Sequence, residues 1–391
     1  MQSANHYDLI IVGAGPAGIS TALHLAQIAP HLISRTLILE KARHPRPKLC
    51  AGGVLPDAEV ILRRLGLDIT EAAHTDVDWV HFDFNGQGMQ MRAEKTGTFA
   101  LRTVRRHEFD AWLAAKARQR GFLIQENTVV KRVTVSGSGV RLETDKGEYR
   151  AKVVVGADGS NSIVRQAIVT HEDLHVARVL EVVTGPLPKK SPHKEMDSYF
   201  DFVVIPQGIA GYAWDFAAVE KGKPVRVRGV YDSNIHSGKS KVPLREALAG
   251  EFRRHGLDLE DYKLEGFPIR WFDAKGTFAA PRVLLAGDAI GADAIFGEGI
   301  SAALGYGGFT ARAIQDAFAR KDFSFGGYKR SILRSEMGKA LSLRTWIARV
   351  LYAIPWPAFH AFLWRRMGWF IEWFVRAFVI GWAQRQEKHN A

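Results

Sequence analysis

The chain has 391 residues, 47% of them hydrophobic, which is enough for one large core or two modest ones, and two domains are the expectation. Its single cysteine, Cys50, excludes an intrachain disulfide and a cysteine-rich zinc cluster, fits a reducing cytoplasmic compartment, and leaves no metal site expected. The net charge of +12 points to nucleic acid or an anionic membrane, and its position along the chain bears on which.

In chain order, Tyr7 to Val12 is an apolar run of the buried-strand kind, with no cleavage-site pattern after a basic region, so no signal peptide is expected. It leads into Val12-Gly13-Ala14-Gly15-Pro16-Ala17-Gly18 and the helix-like Ile19 to Gln27, the strand–turn–helix setting that a dinucleotide fingerprint requires. Gly13 permits the tight turn, Gly15 lets backbone approach a pyrophosphate, and Gly18 lets helix and strand pack closely; Pro16 and Ala17 complete the turn. A second strand, Arg35 to Glu40, ends in a carboxylate placed for a ribose diol, with Lys41 beside it. Glu40 stands 27 residues after Gly13, beyond the usual spacing of about 20, and the excess is assigned to a loop around Ala29-Pro30-His31.

Further on come Lys48-Leu49-Cys50-Ala51-Gly52-Gly53, a helix from Arg106 to Arg120, and the β-branched run Val153-Val154-Val155, which delivers Gly156-Ala157-Asp158-Gly159 at its carboxyl end, where open α/β sheets bind ligands. Alternating segments between about 177 and 279, such as Arg226 to Tyr231, predict an antiparallel sheet. Tyr212, Trp214 and Phe216 alternate there and so share one face of a strand, with plain sheet packing as the alternative to a role in a site. The strand Val283 to Ala286 delivers Gly287-Asp288, and Gly297-Glu298-Gly299-Ile300 opens a helix from Ser301 to Phe318 whose N–H groups face an anionic or carbonyl group.

From Phe323 to Ala391 the chain reads as helical, with 11 Lys/Arg against 3 Asp/Glu and six of the ten tryptophans. Basic residues interleaved with Trp and Phe suit a membrane interface, so a peripheral membrane surface is expected as partner and nucleic acid is not. Met367 to Ala383 reaches spanning length but carries Glu372 and Arg376, and Val350 to Trp364 contains Pro355 and Pro357, so neither is expected to span. The tail is read as an anchor or as a cap over an apolar tunnel, with ordinary helix packing as the alternative.

The expected fold is therefore α/β. A Rossmann-type domain comprises residues 1–176 with 280–322, an antiparallel-sheet substrate domain residues 177–279, and a helical, basic, Trp-rich region residues 323–391.

The three glycine-bearing motifs, in this order, resemble the flavoprotein superfamily that contains the single-component aromatic hydroxylases. That resemblance implies FAD, with Asp158-Gly159 contacting the nucleotides and Asp288 the ribitol. It also implies Arg106 near the pyrophosphate and the Val130 backbone at the adenine, with Cys50, Ala51, Gly52, Gly287, Gly297, Gly299 and Ile300 in the same binding set. The segment around Cys50 and Tyr212-Ala213-Trp214-Asp215-Phe216 are similar to the K-x-C-x-G-G and Y-x-W-x-F motifs of geranylgeranyl reductases, with Ala217 where that family commonly has proline. The resemblance implies saturation of C=C bonds in a polyprenyl chain on a lipid, quinone or chlorophyll precursor, by hydride from reduced flavin with protonation. Cys50, Tyr212 and Trp214 are the catalytic candidates, Cys50 as proton donor or positioning group and the aromatic faces for passing positive charge. NAD(P)H or reduced ferredoxin is the expected electron donor, the latter an acidic partner that the basic surface would suit. A flavin monooxygenase acting on an aromatic substrate is the alternative; a halogenase is disfavoured by the lack of a W-x-W-x-I-P segment.

Overall fold

The computed structural model describes residues 5–92, 101–169, 175–187, 191, 193–238 and 240–390. Its first sheet is built on the strand Asn5–Val12, which pairs in parallel with Thr36–Leu39 on one side and Gly147–Gly156 on the other. Leu123–Gln125 extends it beyond Thr36–Leu39 and Val283–Leu285 beyond Gly147–Gly156, both in parallel. Val12, Leu39, Gly156 and Leu285 lie in register, so motifs far apart in the chain emerge along one edge. The run Val153-Val154-Val155 has no solvent exposure, as expected for a sheet covered on both faces.

The helices Pro16–Ile28 and Ile300–Arg320 lie against each other in close backbone contact. A Cβ at Gly307 would stand 2.3 Å from Ser20 Oγ, and that hydroxyl donates to the Leu304 carbonyl at 2.6 Å. The excess length before Glu40 is a 3-10 turn, Pro30–Arg35, rather than an irregular loop.

A second sheet has seven strands in the order Glu265–Arg270, Val176–Thr184, Lys223–Asp232, Gly211–Glu220, Ser198–Asp201, Trp79–Asp83 and Gly88–Arg92. Neighbours are antiparallel except Ser198–Asp201 with Trp79–Asp83. The last two strands correct the expected division, which gave all of 1–176 to the nucleotide side. Val80, Phe82, Met89 and Met91 alternate inward and bury against Phe200, Phe202 and Tyr212, so this stretch belongs to the aromatic core. A small sheet of Gly53–Val54, Arg102–Val104 and His74–Asp76 lies outside both and was not foreseen.

The tail is helical over Tyr328–Arg334, Glu336–Leu351, Pro357–Arg366, Gly368–Phe374 and Trp382–Asn390, with a π-helical turn at Val375–Val379. It is no appendage. Met337, Leu341 and Trp382 enter the core of the first sheet, and Ala348, Tyr352 and Trp364 that of the second. Buried Asp57 accepts hydrogen bonds from the backbone of Gly381 at 2.9 Å and Ala383 at 2.7 Å, tying the last helix to the N-terminal half. Among the described residues no helix is long and apolar enough to cross a membrane.

Candidate functional site

Between the edge of the first sheet and a face of the second lies a cavity of about 740 Å³. Of the candidate cofactor-binding and catalytic residues named from sequence, every one lines it except Gly18. Gly18 sits behind the turn, where a Cβ would meet the Gly13 carbonyl oxygen at 2.0 Å; it serves helix–strand packing, the role expected of it. Gly13 has φ +104°, and its N–H donates to Leu39, closing the turn. At Gly15 a Cβ would meet only Arg46 Nη2, at 3.5 Å, so the backbone there borders open space at the start of the helix Pro16–Ile28.

Two cations stand beside that opening. Arg106 makes a bidentate ion pair with Asp110 at 2.7 and 3.0 Å, and Arg46 reaches the same carboxylate at 3.2 Å. Asp110 has no solvent exposure, so it fixes both guanidinium groups against the cavity wall. Arg46 and Asp110 escaped the sequence reading, although the i,i+4 spacing of Arg106 and Asp110 on one helix was a usable signal.

The carboxylates divide unevenly. Glu40 accepts from the Ala14 N–H at 2.9 Å and the Ala42 N–H at 3.1 Å, bracing the glycine turn as well as lining the cavity beside Lys41. The Asp158 carboxylate is engaged within the protein. It accepts from Ser162 Oγ at 2.5 Å and from the Ile163 N–H at 2.7 Å, because the strand end feeds directly into the short helix Ile163–Gln166. The motif therefore meets the cavity through the Asp158-Gly159 loop. Asp288 is different: its one hydrogen bond among the described residues is from Ser160 at 3.5 Å, which leaves a carboxylate available beside Gly287, Gly297, Gly299 and Ile300.

The other half of the cavity is apolar and aromatic. Tyr212, Trp214 and Phe216 all face it and are buried, while Ala213, Asp215 and Ala217 face away, as strand alternation requires. Phe82, Phe200, Tyr231 and Phe296 join them from other elements; Phe200 lies 5.0 Å from Tyr212 and 4.8 Å from Phe216 between ring centroids. Tyr212 donates its hydroxyl to the Phe296 carbonyl at 2.5 Å, and burial pushes its pKa far up, so its proton is committed and its ring is what it offers to the cavity. Cys50 is half-buried, with its Sγ accepting from the Gly52 N–H at 3.3 Å. Lys48 lies over the Phe267 ring at 3.2 Å, and burial, with Arg106 nearby, lowers its pKa to about 8.

Two buried acids of this wall went unread in the sequence. Burial raises both Glu181 and Glu298 to about 7. Glu298 is held by the Ser301 N–H at 2.7 Å and by Arg344 at 3.7 Å, and Arg344 comes from the tail helix Glu336–Leu351. Val375, Val379 and Ile380 also line the cavity, so the tail closes part of it. On the far face of the strand, His193, Asp215 and His255 group their donor atoms within 4.8 Å, but Arg226 at 2.7 Å and Arg228 at 3.2 Å already neutralise Asp215, a poor setting for a cation.

These features fit FAD: an open glycine turn at a helix start, two buttressed guanidinium groups for phosphate, Glu40 and Asp288 for hydroxyls, and an adjoining aromatic chamber.

Comparison with known proteins agrees. A relative from Methanosarcina barkeri, described as uncharacterized, is 27% identical over 90% of this chain and 85% of its own. The digeranylgeranylglycerophospholipid reductase of Thermoplasma volcanium is 24% identical over 88% of this chain and 87% of its own. Among solved structures, a geranylgeranyl bacteriochlorophyll reductase-like protein of Thermoplasma acidophilum superposes with a TM-score of 0.79 at 22% identity, covering 99% of this chain and 100% of that one. The halogenase PltM does so with 0.72 at 16%, covering 98% and 84%. At these identities the two structures establish the fold. The model of the FAD binding domain matches residues 6–293, and the chain accordingly belongs to the FAD binding domain family and is an FAD-dependent oxidoreductase.

Proposed function

We propose that this protein saturates C=C bonds of a polyprenyl chain carried on a lipid, quinone or chlorophyll precursor. The observation that carries this reading is the second half of the cavity: a buried aromatic chamber, continuous with the nucleotide channel and edged by two buried acids that burial raises to about 7. Its relatives named as digeranylgeranylglycerophospholipid reductases support it. FAD bound in the channel, once reduced, supplies a hydride. An isolated alkene accepts hydride poorly, so a proton must arrive with it, and water must be kept from the positive charge that develops on carbon. Tyr212, Trp214, Phe216 and Phe200 supply a dry wall whose ring faces favour such charge. Cys50 lines the cavity between Leu49 and Ala51, which pack on the aromatic core, as a proton donor or positioning group; Gly52 beyond it makes room for the Val104 backbone, whose carbonyl oxygen a Cβ would meet at 2.0 Å.

The same reading assigns the partners. Trp369, Phe370, Trp373, Phe374 and Phe378 form a chain of ring contacts of 5.3 to 6.3 Å on the tail, most of them exposed, beside Val375 and Ile380 of the cavity wall. We assign this surface to the membrane that holds the substrate, with NAD(P)H or an acidic ferredoxin delivering electrons.

Purified, dithionite-reduced protein incubated with geranylgeranyl-bearing lipids should give products heavier by steps of two hydrogens in mass spectrometry. A flavin monooxygenase, favoured only by fold likeness to halogenases, predicts instead one added oxygen on an aromatic substrate under NADPH and air. That outcome, with no hydrogen gain on any prenyl substrate, overturns the proposal.

A further inference from the structure

The face of the second sheet that walls the aromatic chamber carries one row of residues running across four strands. Trp214 pairs with Gly229, Gly229 with Glu181, and Glu181 with Glu265. Residues opposite one another in a sheet project to the same side. Trp214, Glu181 and Glu265 accordingly all line the cavity. The glycine in the row is needed: a Cβ there would lie 2.3 Å from the Trp214 ring, so Gly229 gives up its space to the indole and lets Trp214 lie toward Glu181.

Glu181 is 3% exposed, and its Oε2 has no hydrogen-bond partner; the Trp214 Nε1–H in the same row has none either. A buried carboxyl oxygen without a donor is costly as an anion and far less so as the acid. Groups bearing on it come from every side: the Cys50 N–H and Lys48 from the glycine-flanked segment, Arg105 from the turn before the helix Arg106–Gln119, and Glu265 from the neighbouring strand. Burial outweighs the two cations and holds the group near pKa 7. The other acid of the wall, Glu298, is raised to about 7 by burial as well, and its Oε2 is also without a hydrogen bond, but its Oε1 accepts from the Ser301 N–H at 2.7 Å and the Arg344 guanidinium stands 3.7 Å away, so it is the control against which Glu181 is tested.

Resting on the reductase reading, we propose that Glu181 is a further catalytic acid, the group whose proton ends on the saturated carbon. The balance is simple. The alkene π bond opens, one carbon takes the hydride with its electron pair, and the other forms a C–H bond with the proton as the Glu181 O–H bond breaks. The carboxylate left behind is reprotonated from water before the next turnover. The Cys50 backbone N–H bears on the carboxyl from the segment that lines the same cavity, and the Trp214 N–H of the same row is likewise without a hydrogen-bond partner.

The test is anaerobic reoxidation of the reduced holoprotein by a geranylgeranyl lipid, followed across pH about 5 to 9 in the parent, Glu181→Gln, Glu181→Asp and Glu298→Gln proteins. The Gln substitution keeps shape and should leave flavin content, visible spectrum and rate of flavin reduction unchanged. Alkene reduction should slow by roughly 10²- to 10⁴-fold. In the parent the rate should fall as pH rises through about 7; that limb should vanish in Glu181→Gln, survive in Glu298→Gln, and persist, slower, in Glu181→Asp. A second readout needs no substrate: the infrared carbonyl absorption of undissociated buried carboxyls titrating near pH 7 in the ligand-free protein, of which one component should be lost in Glu181→Gln and kept in Glu298→Gln. Parent-like rate and pH limb in Glu181→Gln, an unchanged infrared band, or loss of the limb in Glu298→Gln instead would each overturn this assignment while leaving the reductase reading intact. A parent protein that reduces no prenyl substrate overturns that reading and the catalytic role of Glu181 with it.

Discussion

At the scale of single residues, the glycines of the first turn separate folding from binding. A Cβ at Gly18 would lie 2.0 Å from the Gly13 carbonyl, an overlap with backbone that nothing can relieve cheaply. A Cβ at Gly15 meets only the end of the Arg46 side chain at 3.5 Å, and beyond it is the channel. Gly18→Ala should therefore cost stability, on the order of 2 kcal/mol or more as overpacking, and lower the melting temperature of the ligand-free protein. Gly15→Val should leave that melting temperature within a few degrees yet yield protein with no flavin, because its branched side chain fills the space for the cofactor. Flavin released by acid and thermal melts of the apoprotein read both effects. A Gly15→Val protein that retains stoichiometric FAD would remove the phosphate path from this turn.

At the scale of strands, the buried ion cluster behind the aromatic wall sets the register of the central sheet. Arg226 is fully buried and donates to the Asp215 side chain at 2.7 Å and backbone at 2.9 Å, and also to the carbonyls of Glu195 and Asp197. Its neutral replacement would leave Asp215 in a low-dielectric site facing only Arg228 and His193. Arg226→Met should destabilise by about 3–5 kcal/mol, read as a drop in the denaturant midpoint with flavin spectra intact where folded. Burial alone would raise the Asp215 pKa, but His193, Arg226 and Arg228 hold it well below the usual carboxylate range. A depressed carboxyl pKa contributes stability above its unfolded value. The contribution should thus be full above pH about 4 and lost as pH falls further, a dependence that Asp215→Asn should flatten. Asp215 also shows what sequence could convey. The strand Gly211–Glu220 displayed its alternation, and the continuous β-branched run at 153–155 displayed a doubly covered strand, so the nucleotide edge and one chamber wall were legible. Glu181 was not, since a lone acid in an alternating strand reads as solvent-facing, and only the sheet pairing shows both faces covered. Nor was the passage of 79–92 into the second sheet, because membership of a sheet is set by packing partners remote in sequence.

At the scale of the whole molecule, the tail both closes the site and faces outward, so its two roles must be tested by different changes. Truncation after Trp364 would remove the helix Trp382–Asn390 together with the backbone that Asp57 caps and the buried Trp382, and would expose the core. Point substitution on the outer face avoids this. Trp369, Trp373 and Phe378 are 72%, 53% and 45% exposed, so replacing all three by Gln should change folding stability little. On a bilayer each ring would bury part of its apolar surface, worth about 1 kcal/mol apiece. The triple variant should therefore bind vesicles containing anionic lipid about 100-fold more weakly in sedimentation assays. Exposed Arg365 and Arg366 lie just before this patch, and attraction of about 1 kcal/mol per cation near an anionic surface makes binding salt-sensitive. The variant should keep its flavin and should reduce detergent-dispersed substrate at the parent rate while losing activity on substrate embedded in vesicles. Equal activity in both forms would assign the patch to something other than a membrane, whereas loss in both would mean that the outer rings also shape the chamber, through Val375 and Ile380 of the same segment.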